Sequence, residues 1–173
     1  MLEPATFEDH PAVVMIVNRA YRGPGDHRGW NSEVDLVSGD RITLAQLRRD
    51  LADSPQARLL VHRGADGEVQ ACVRVEPEDG PEEGKNWYFG MLAIDPATQA
   101  GGLGKRILEA IDAHARERGG RRLRITVINV REQLIAWYER RGFVRTGEVE
   151  PLPEGIGKPL RDDMNFVVLA KDL

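Results

Sequence analysis

The stretch from residue 87 to residue 105 reads WYFGMLAIDPATQAGGLGK, and an amphipathic segment follows it. Residues 87–94 are nearly all apolar and stop at Asp95 and Pro96, a pattern typical of a strand buried on both faces. Gly90 interrupts the run, and an internal glycine often marks a bulge or a close backbone approach. After the glycines, apolar side chains recur every four residues, which predicts a helix with one buried face. The stretch therefore predicts a strand, a glycine-rich turn and a helix, and the remaining chain is interpreted around it.

The turn at Gly101, Gly102 and Gly104 has the chemistry of an anion-binding site. Glycines let the backbone approach a ligand closely, and the first amides of a helix have no partner within the helix. The helix dipole favours a negative group at this end by about 0.3–1 kcal/mol. Lys105 and Arg106 add positive charge. A pyrophosphate is the ligand that these features suit.

Two better-known phosphate motifs do not match these residues. A P-loop requires glycine at the position of Gln99 and serine or threonine at that of Arg106. A dinucleotide fingerprint starting at Gly102 requires a small residue where Ile107 stands, and no acidic residue follows at the expected distance. The turn therefore belongs to another class of anion site.

The turn resembles the central motif of the GNAT N-acetyltransferase superfamily, Gln/Arg-x-x-Gly-x-Gly/Ala, which residues 99–104 follow as QAGGLG. The segment LAIDP at residues 92–96 precedes it, and Asn129 and YERRGF at residues 138–143 follow at distances similar to those in the family. The resemblance implies one N-acetyltransferase domain over residues 1–173 that uses acetyl-CoA. It also implies an α/β (α+β) fold with a mixed, mostly antiparallel central sheet, a splayed parallel strand pair and about four flanking helices.

The composition is that of one ordinary globular domain. The chain has 173 residues, 41% hydrophobic and 30% charged, and no apolar run approaches the roughly 20 residues of a membrane helix. Its net charge of −4 argues against nucleic acid as the main partner. A single cysteine, Cys72, excludes an internal disulfide, and no Cys/His cluster has the spacing of a metal site. We expect a cytoplasmic protein without a membrane partner, and the resemblance makes a homodimer possible.

The rest of the chain divides into short elements with recognisable boundaries. Capping boxes at residues 6–9 and 43–46 predict the starts of two helices, and Gly119 and Gly142 predict the ends of two others. Apolar patterning predicts further strands at residues 2–5, 58–63, 69–76, 123–127, 143–148 and 164–171. The central strand and the one that follows its helix should be parallel, with a right-handed crossover.

The resemblance assigns a set of residues to the cofactor. The backbones of Leu92 and Ile94 would bind the pantetheine arm like an added strand, and the glycine turn would wrap the pyrophosphate. The whole predicted set is Leu92, Ala93, Ile94, Gln99, Ala100, Gly101, Gly102, Leu103, Gly104, Lys105, Asn129 and Tyr138. For Asn129, the alternative is a turn residue that ends its strand.

Tyr138 is the predicted catalytic residue, because the family often uses a tyrosine on the helix after the splayed strand. A phenol with a pKa near 10 can protonate a departing thiolate, a step that contributes about 10²–10⁴ in rate. The alternative is an aromatic side chain that fills the gap between helix and sheet. The motif context favours catalysis.

The sequence defines the acceptor side less well. In the family, the loop after the first helix covers the acceptor pocket, so Trp30 and Glu33 are predicted to bind the substrate, although Trp30 has the alternative of only anchoring its loop to the core. Tyr88, in the central strand, is also predicted to bind the substrate. Many relatives carry a carboxylate on the central strand to deprotonate the amine, whereas residues 87–91 contain none. Glu76 or Glu33, acting through water, is the predicted substitute, unless the amine has a depressed pKa.

Three functions follow from these patterns. The first is an acetyl-CoA-dependent N-acetyltransferase that acts on a primary amine of a small molecule or peptide by direct attack in a ternary complex. The second is a non-catalytic acyl-CoA-binding domain, which the missing strand carboxylate would suit. The third is a regulatory nucleotide-binding domain, which would prefer ATP or NAD to CoA. The intact Tyr138 favours the first.

Overall fold

The computed structural model describes residues 1–23, 32–78, 85–98 and 101–173. Within these residues four α-helices form: α1 (His10–Arg22), α2 (Leu44–Asp53), α3 (Leu103–Arg116) and α4 (Glu132–Glu139). The strands are β1 (Glu3–Pro4), β2 (Val37–Ser38), β3 (Arg58–Arg63), β4 (Val69–Pro77), β5 (Asn86–Ile94), β6 (Arg122–Ile128), β7 (Val144–Glu150), β8 (Lys158–Pro159) and β9 (Phe166–Asp172). None of the helices in the described ranges is long and apolar enough to cross a membrane.

Seven strands form one sheet in the order β1-β3-β4-β5-β6-β9-β7. Its neighbouring strands are antiparallel except β5 and β6, which run parallel because α3 carries the chain back between them. This confirms the predicted mixed, mostly antiparallel sheet with one parallel pair and about four helices. A separate two-stranded sheet of β2 and β8 was not predicted, and it joins two loops that are far apart in sequence.

Helices cover both faces of the large sheet. The face packed by α1 and α2 has a core of Val13, Ile16, Val17, Ala20, Tyr21, Leu47, Leu59, Val61, Cys72 and Ala93. The face packed by α3 and α4 has a core that includes Phe89, Leu92, Ile94, Ile107, Ile111, Leu123, Ile135, Tyr138 and Phe143. Burial of each large apolar side chain stabilises the fold by about 1.5–3 kcal/mol, so the two stripes fix the helices on the sheet.

The second capping box is formed as predicted. Thr43 Oγ1 accepts a hydrogen bond from the Gln46 amide at 3.2 Å, and Gln46 Oε1 accepts one from the Thr43 amide at 3.0 Å. At the first box, Asp9 accepts from the Thr6 amide at 2.7 Å, but the residues between them form a single 3₁₀ turn before α1 begins at His10. Both helices therefore begin close to the predicted residues.

The strands β5 and β6 separate after a short paired segment. Tyr88 with Arg124 is the last parallel pair, and beyond it the two strands diverge, as the resemblance implied. On its other edge β5 bulges against β4 between Cys72 and Arg74. The residue in the left-handed conformation is Met91, with φ of 54°, rather than the neighbouring Gly90, which was the expected site of the irregularity. The bulge and the divergence meet at the same point of β5.

Candidate active site

The divergence of β5 and β6 opens a cavity of about 160 Å³. Residues 90–92 line it from β5 and residues 125–128 from β6, and Tyr138 and Ile156 contribute from α4 and from the loop before β8. Beyond Tyr88 the two strands no longer bond to each other, so an extended ligand between them can bind as an added strand. The resemblance predicts a pantetheine arm between these two strands, and its place there stays a prediction.

The backbone of Leu92 already carries one contact inside this channel. The buried Tyr21 hydroxyl donates a hydrogen bond to the Leu92 carbonyl at 3.1 Å. A carbonyl oxygen can accept two hydrogen bonds, so this contact occupies one of its two positions. Ala93 and Ile94 are paired with β4 on the other edge of the strand. The predicted cofactor contacts of Leu92, Ala93 and Ile94 stay predictions.

The glycine turn at the start of α3 is open to a ligand. Gly101 and Gly102 have φ values of 75° and 72°, a left-handed conformation that favours glycine. A Cβ built on either residue meets no atom of the described residues within 4 Å. The Gly102 carbonyl accepts the amides of Lys105 and Arg106, and the two amides before them have no intrahelical partner. These residues fit a pyrophosphate, whereas Gln99 and Ala100 lie outside the described residues.

Two further residues of the turn differ in their surroundings. A Cβ on Gly104 would lie 3.5 Å from the Ile94 and Trp137 side chains, so a small residue lets α3 pack closely beside β5 and α4. The Lys105 side chain is 66% exposed, and its ammonium lies 3.7 Å from Glu109. Leu103 is buried in the core. Lys105 is therefore the mobile charge of the turn, and Gly104 and Leu103 fix the position of the helix.

All three tyrosines of the chain line the cavity. Tyr21 donates to β5, and the Tyr88 hydroxyl lies 3.0 Å from Thr126 Oγ1. The Tyr138 hydroxyl forms no hydrogen bond to any described residue, while its ring packs against Phe143 with centroids 5.5 Å apart. Burial raises the pKa of Tyr138 above that of an exposed phenol, so the hydroxyl keeps its proton at neutral pH. Tyr138 thus has a protonated hydroxyl that can donate to a ligand.

The position of Tyr88 explains the glycine within β5. A Cβ on Gly90 would lie 2.9 Å from the Tyr88 hydroxyl and 3.0 Å from its ring, so only glycine leaves space for this ring. The hydroxyl reaches Thr126 and ties β5 to β6 next to their point of separation. Burial raises the pKa of Tyr88. Its predicted role in substrate binding stays a prediction, and its structural role is to hold the two strands together.

Glu33 lines the cavity as an ion-paired residue. Its carboxylate lies 2.7 Å from Arg22 and 3.0 Å from Arg131, and all three side chains are at most 8% exposed. Arg22 also donates to the Ile156 carbonyl at 2.9 Å. Each oxygen of the carboxylate accepts a hydrogen bond from one of the two guanidinium groups. The predicted catalytic role of Glu33 is therefore not supported by its contacts, although its place beside the cavity suits a residue that shapes the acceptor pocket.

Glu76 also has a structural partner. Its carboxylate lies 2.8 Å from Arg74, and it sits opposite Tyr88 in the pairing of β4 with β5. Glu76 is not among the residues that line the cavity, and Glu33 is the one carboxylate that does so in the described part of the chain. The geometry therefore gives no support to Glu76 as the base. Apart from the ion-paired Glu33, no carboxylate of the described residues lines the cavity in place of the one that is missing from the strand.

Asn129 ends β6 with both the nitrogen and the oxygen of its side-chain amide hydrogen-bonded. Its Nδ2 donates to the Asp163 carbonyl at 3.0 Å, and its Oδ1 accepts from the Asn165 amide at 3.2 Å. These contacts fit the alternative of a strand-ending residue, here one that fixes the loop before β9. The amide keeps one further N–H and one further acceptor position, and the predicted cofactor contact of Asn129 stays a prediction. Trp30, the other residue with two interpretations, lies outside the described residues.

Sequence reasoning did not find the arginines of the site. Arg41 and Arg131 both line the cavity, and Arg22 lies behind Glu33. Single charged residues in loops or at helix ends carry no periodic pattern, and most of them are solvated. Their proximity depends on the pairing of β2 with β8, which no local motif predicts. No sequence pattern indicates that these arginines lie together, because they meet only through tertiary contacts.

Comparison with known proteins identifies the family. The model of the acetyltransferase (GNAT) family matches residues 29–143, well over half of the chain. The chain therefore belongs to the GNAT acetyltransferase family, which confirms the resemblance inferred from the glycine turn. The match includes the turn, the splayed strands and Tyr138.

Individual relatives agree with this assignment. An amino-acid acetyltransferase from Ralstonia nicotianae is 30% identical over 148 residues, covering 81% of this chain and 31% of that protein, so the chain spans about a third of its length. The structure of a ribosomal-protein-alanine N-acetyltransferase from Brucella melitensis superimposes with a TM-score of 0.70 at 19% identity, covering 100% and 99% of the two chains. A GNAT superfamily phosphinothricin acetyltransferase from Sinorhizobium meliloti, in complex with AcCoA, gives a TM-score of 0.69 at 13% identity, covering 100% and 88%. The structural matches show the shared fold.

Proposed function

We propose that this protein transfers the acetyl group of acetyl-CoA to a primary amine of a small molecule or peptide by direct attack in a ternary complex. The observation that carries the proposal is the Tyr138 hydroxyl, the one tyrosine hydroxyl of the cavity without a hydrogen bond to described residues. It lies in the cavity between the diverging strands, to which the glycine turn is joined through β5.

The residues that would hold acetyl-CoA divide into two groups. The turn of Gly101 and Gly102, with the first amides of α3 and with Lys105, would hold the pyrophosphate. The edge of β5 at Leu92 and Ile94 would hold the pantetheine arm. When bound, acetyl-CoA supplies an acetyl group activated as a thioester. The bulge at Met91 turns the backbone out of the regular ladder, and a backbone donor of this kind can polarise the thioester carbonyl.

Tyr138 serves as the proton donor in this mechanism. The amine nitrogen forms its bond to the carbonyl carbon, the carbon–sulfur bond breaks, and Tyr138 gives its proton to the departing thiolate. The proton that the nitrogen loses restores the phenol, so protons balance over the turnover. Burial raises the pKa of Tyr138, so the phenol still carries its proton at neutral pH when the thiolate departs.

The cavity also explains how an amine could react without a dedicated base. Arg41 and Arg131 line it, and of the described carboxylates only the doubly paired Glu33 does so. Positive charge nearby disfavours the ammonium form and lowers the pKa of a bound amine. The neutral amine is therefore more populated in the site than in water.

Two measurements test the proposal against its rivals. Calorimetry with CoA, ATP and NAD should show tight binding of CoA alone, and preference for ATP or NAD would indicate a nucleotide-binding regulatory domain. Thiol release from acetyl-CoA should then increase with at least one member of a panel of primary amines. Tight CoA binding with no amine-dependent release would favour the non-catalytic acyl-CoA-binding domain and overturn the proposal.

A further inference from the structure

A second cavity adjoins the one between β5 and β6. It has a volume of about 120 Å³ and shares Arg41, Tyr88, Gly90 and Met91 with the first cavity. Ile42 and Leu47 give it an apolar wall on the side of α2. The two spaces therefore meet at the bulge of β5, where a reacting amine would lie.

Arg41 stands at the junction of the two cavities. Its guanidinium carbon lies 5.5 Å from the centroid of the Tyr21 ring, and no described carboxylate forms an ion pair with it. Its charge is thus held in place by an aromatic face and stays available to a ligand. An arginine fixed in this way can bind a carboxylate through two parallel hydrogen bonds.

Arg74 lines the second cavity with part of its guanidinium unused. Its Nη2 donates to Glu76 at 2.8 Å, whereas its buried Nε has no hydrogen-bond partner. A buried donor without a partner is costly, so a polar ligand group at this point is favoured. Asp50 also lines the cavity but is exposed and pairs with neither arginine.

We infer that the acceptor carries an acidic group, a carboxylate, which Arg41 and Arg74 bind in the second cavity while the amine lies beside Gly90 and Met91. The inference rests on the proposed function and narrows its substrate class to small amino acids. The carboxylate of such a substrate pairs with the positive charge of Arg41 and Arg74. An amine substrate without an acidic group would leave that charge without a ligand partner. A peptide N-terminus has no carboxylate next to its amine unless one of its first side chains is acidic.

Matched pairs of amines test the inference. Each amino acid of a panel is compared with its own carboxamide, which has nearly the same shape but no negative charge. Each kcat/KM is divided by the fraction of the amine that is neutral in solution, because the amine of the carboxamide has the lower pKa. We expect kcat/KM for the best amino acid to exceed that for its carboxamide by about tenfold or more, the usual effect of losing a charge-assisted hydrogen bond. Equal or faster reaction of the carboxamides overturns the inference and leaves the proposed function intact, whereas no thiol release with any amine is the failure of the proposed function.

Variants of the two arginines test whether these residues bind the carboxylate of the acceptor. Arg41→Gln and Arg74→Gln should each raise KM for the preferred amino acid about tenfold, reduce its advantage over the carboxamide, and leave the affinity for CoA unchanged. Arg49→Gln, on the exposed side of α2, is the matched control and should change none of these values. Calorimetry of the amino acid with the CoA-bound protein should show the same loss of affinity. If both variants slow the amino acid and the carboxamide equally, the arginines are structural and the inference is wrong.

Discussion

The two sides of the cavity are built in different ways. The proposed cofactor side consists of one continuous segment, in which β5, the glycine turn and α3 follow one another within residues 86–116. The acceptor side is assembled from side chains far apart in sequence, since Glu33 pairs with Arg131 across 98 positions and Arg22 reaches the Ile156 carbonyl across 134. A site made of backbone groups in one segment can therefore be recognised as a sequence motif. A site made of distant side chains can be changed by single substitutions.

This difference separates the expected consequences of mutation. On the cofactor side, the important groups are backbone amides, so substitutions act by changing the conformation or by filling open space. On the acceptor side, the important groups are buried charges, and removing one leaves its partners without compensation. Tyr138 lies between the two sides and is the residue on which turnover should depend most.

The largest expected effect is that of Tyr138→Phe. The change keeps the ring that packs against Phe89 and Phe143 but removes the proton donor, so kcat should fall about 10²- to 10⁴-fold at unchanged affinity for CoA. Steady-state thiol release and calorimetry measure the two values. Tyr21→Phe is the control, because its hydroxyl bonds to the Leu92 carbonyl, and its kcat should fall far less. A Tyr138→Phe enzyme with normal kcat would reduce this residue to a packing role.

The pH profile sharpens the same assignment. Burial raises the pKa of Tyr138 above 10, so the folded enzyme keeps the phenol protonated where an exposed tyrosine would begin to lose its proton. The rate should therefore rise with pH as the amine is deprotonated and show no alkaline fall below about pH 10. A descending limb centred below pH 9 would contradict Tyr138 as the acid.

The next effect is on stability, at Glu33. Glu33→Ala leaves two buried arginines without their carboxylate, and the free energy of unfolding should decrease by about 3–5 kcal/mol. Urea unfolding measures it. The control is Glu132→Ala, whose carboxylate is 70% exposed and pairs with Arg145 at 2.9 Å, and which should change stability by less than about 1 kcal/mol. If Glu33→Gln instead abolished turnover without destabilising the fold, Glu33 would be the catalytic base after all.

A smaller effect is expected at the glycine turn. Gly102→Val and Gly119→Val both place a β-branched residue at a left-handed position with open space around it, at the two ends of α3. Each should cost about 1–2 kcal/mol of stability. Only Gly102→Val should weaken CoA binding, by roughly tenfold or more, because the amides of the glycine turn are the groups predicted to bind the pyrophosphate. Equal CoA affinity in the two folded variants would show that the turn does not bind the cofactor.

The smallest effect is that of Lys105→Gln. The side chain is 66% exposed, so its charge should contribute only about 0.3–1 kcal/mol to binding an anion, a change of two- to fivefold in CoA affinity. The effect should disappear at high salt, because exposed charges are screened. Arg116→Gln, in the last turn of the same helix, provides the comparison and should leave CoA affinity unchanged.

Individual elements show which features of the fold could be predicted from the sequence. The capping box at Thr43 and the buried stripe of α1 were predictable because both depend on residues three or four positions apart. The irregularity in β5 was expected at Gly90, whereas the left-handed residue is Met91, and Gly90 is required by the Tyr88 ring. That distinction depends on where one side chain lies in the folded protein.

The sequence by itself determined the order of the main strands and helices, the parallel pair of strands and the position of the glycine turn, because each is encoded by neighbouring residues and by backbone freedom. Only the tertiary structure decided which hydroxyl is available in the cavity, that Glu33 is held by two arginines, and that Arg41 and Arg74 line one space. Those facts depend on contacts between residues distant in the chain, and no local pattern fixes which distant groups meet.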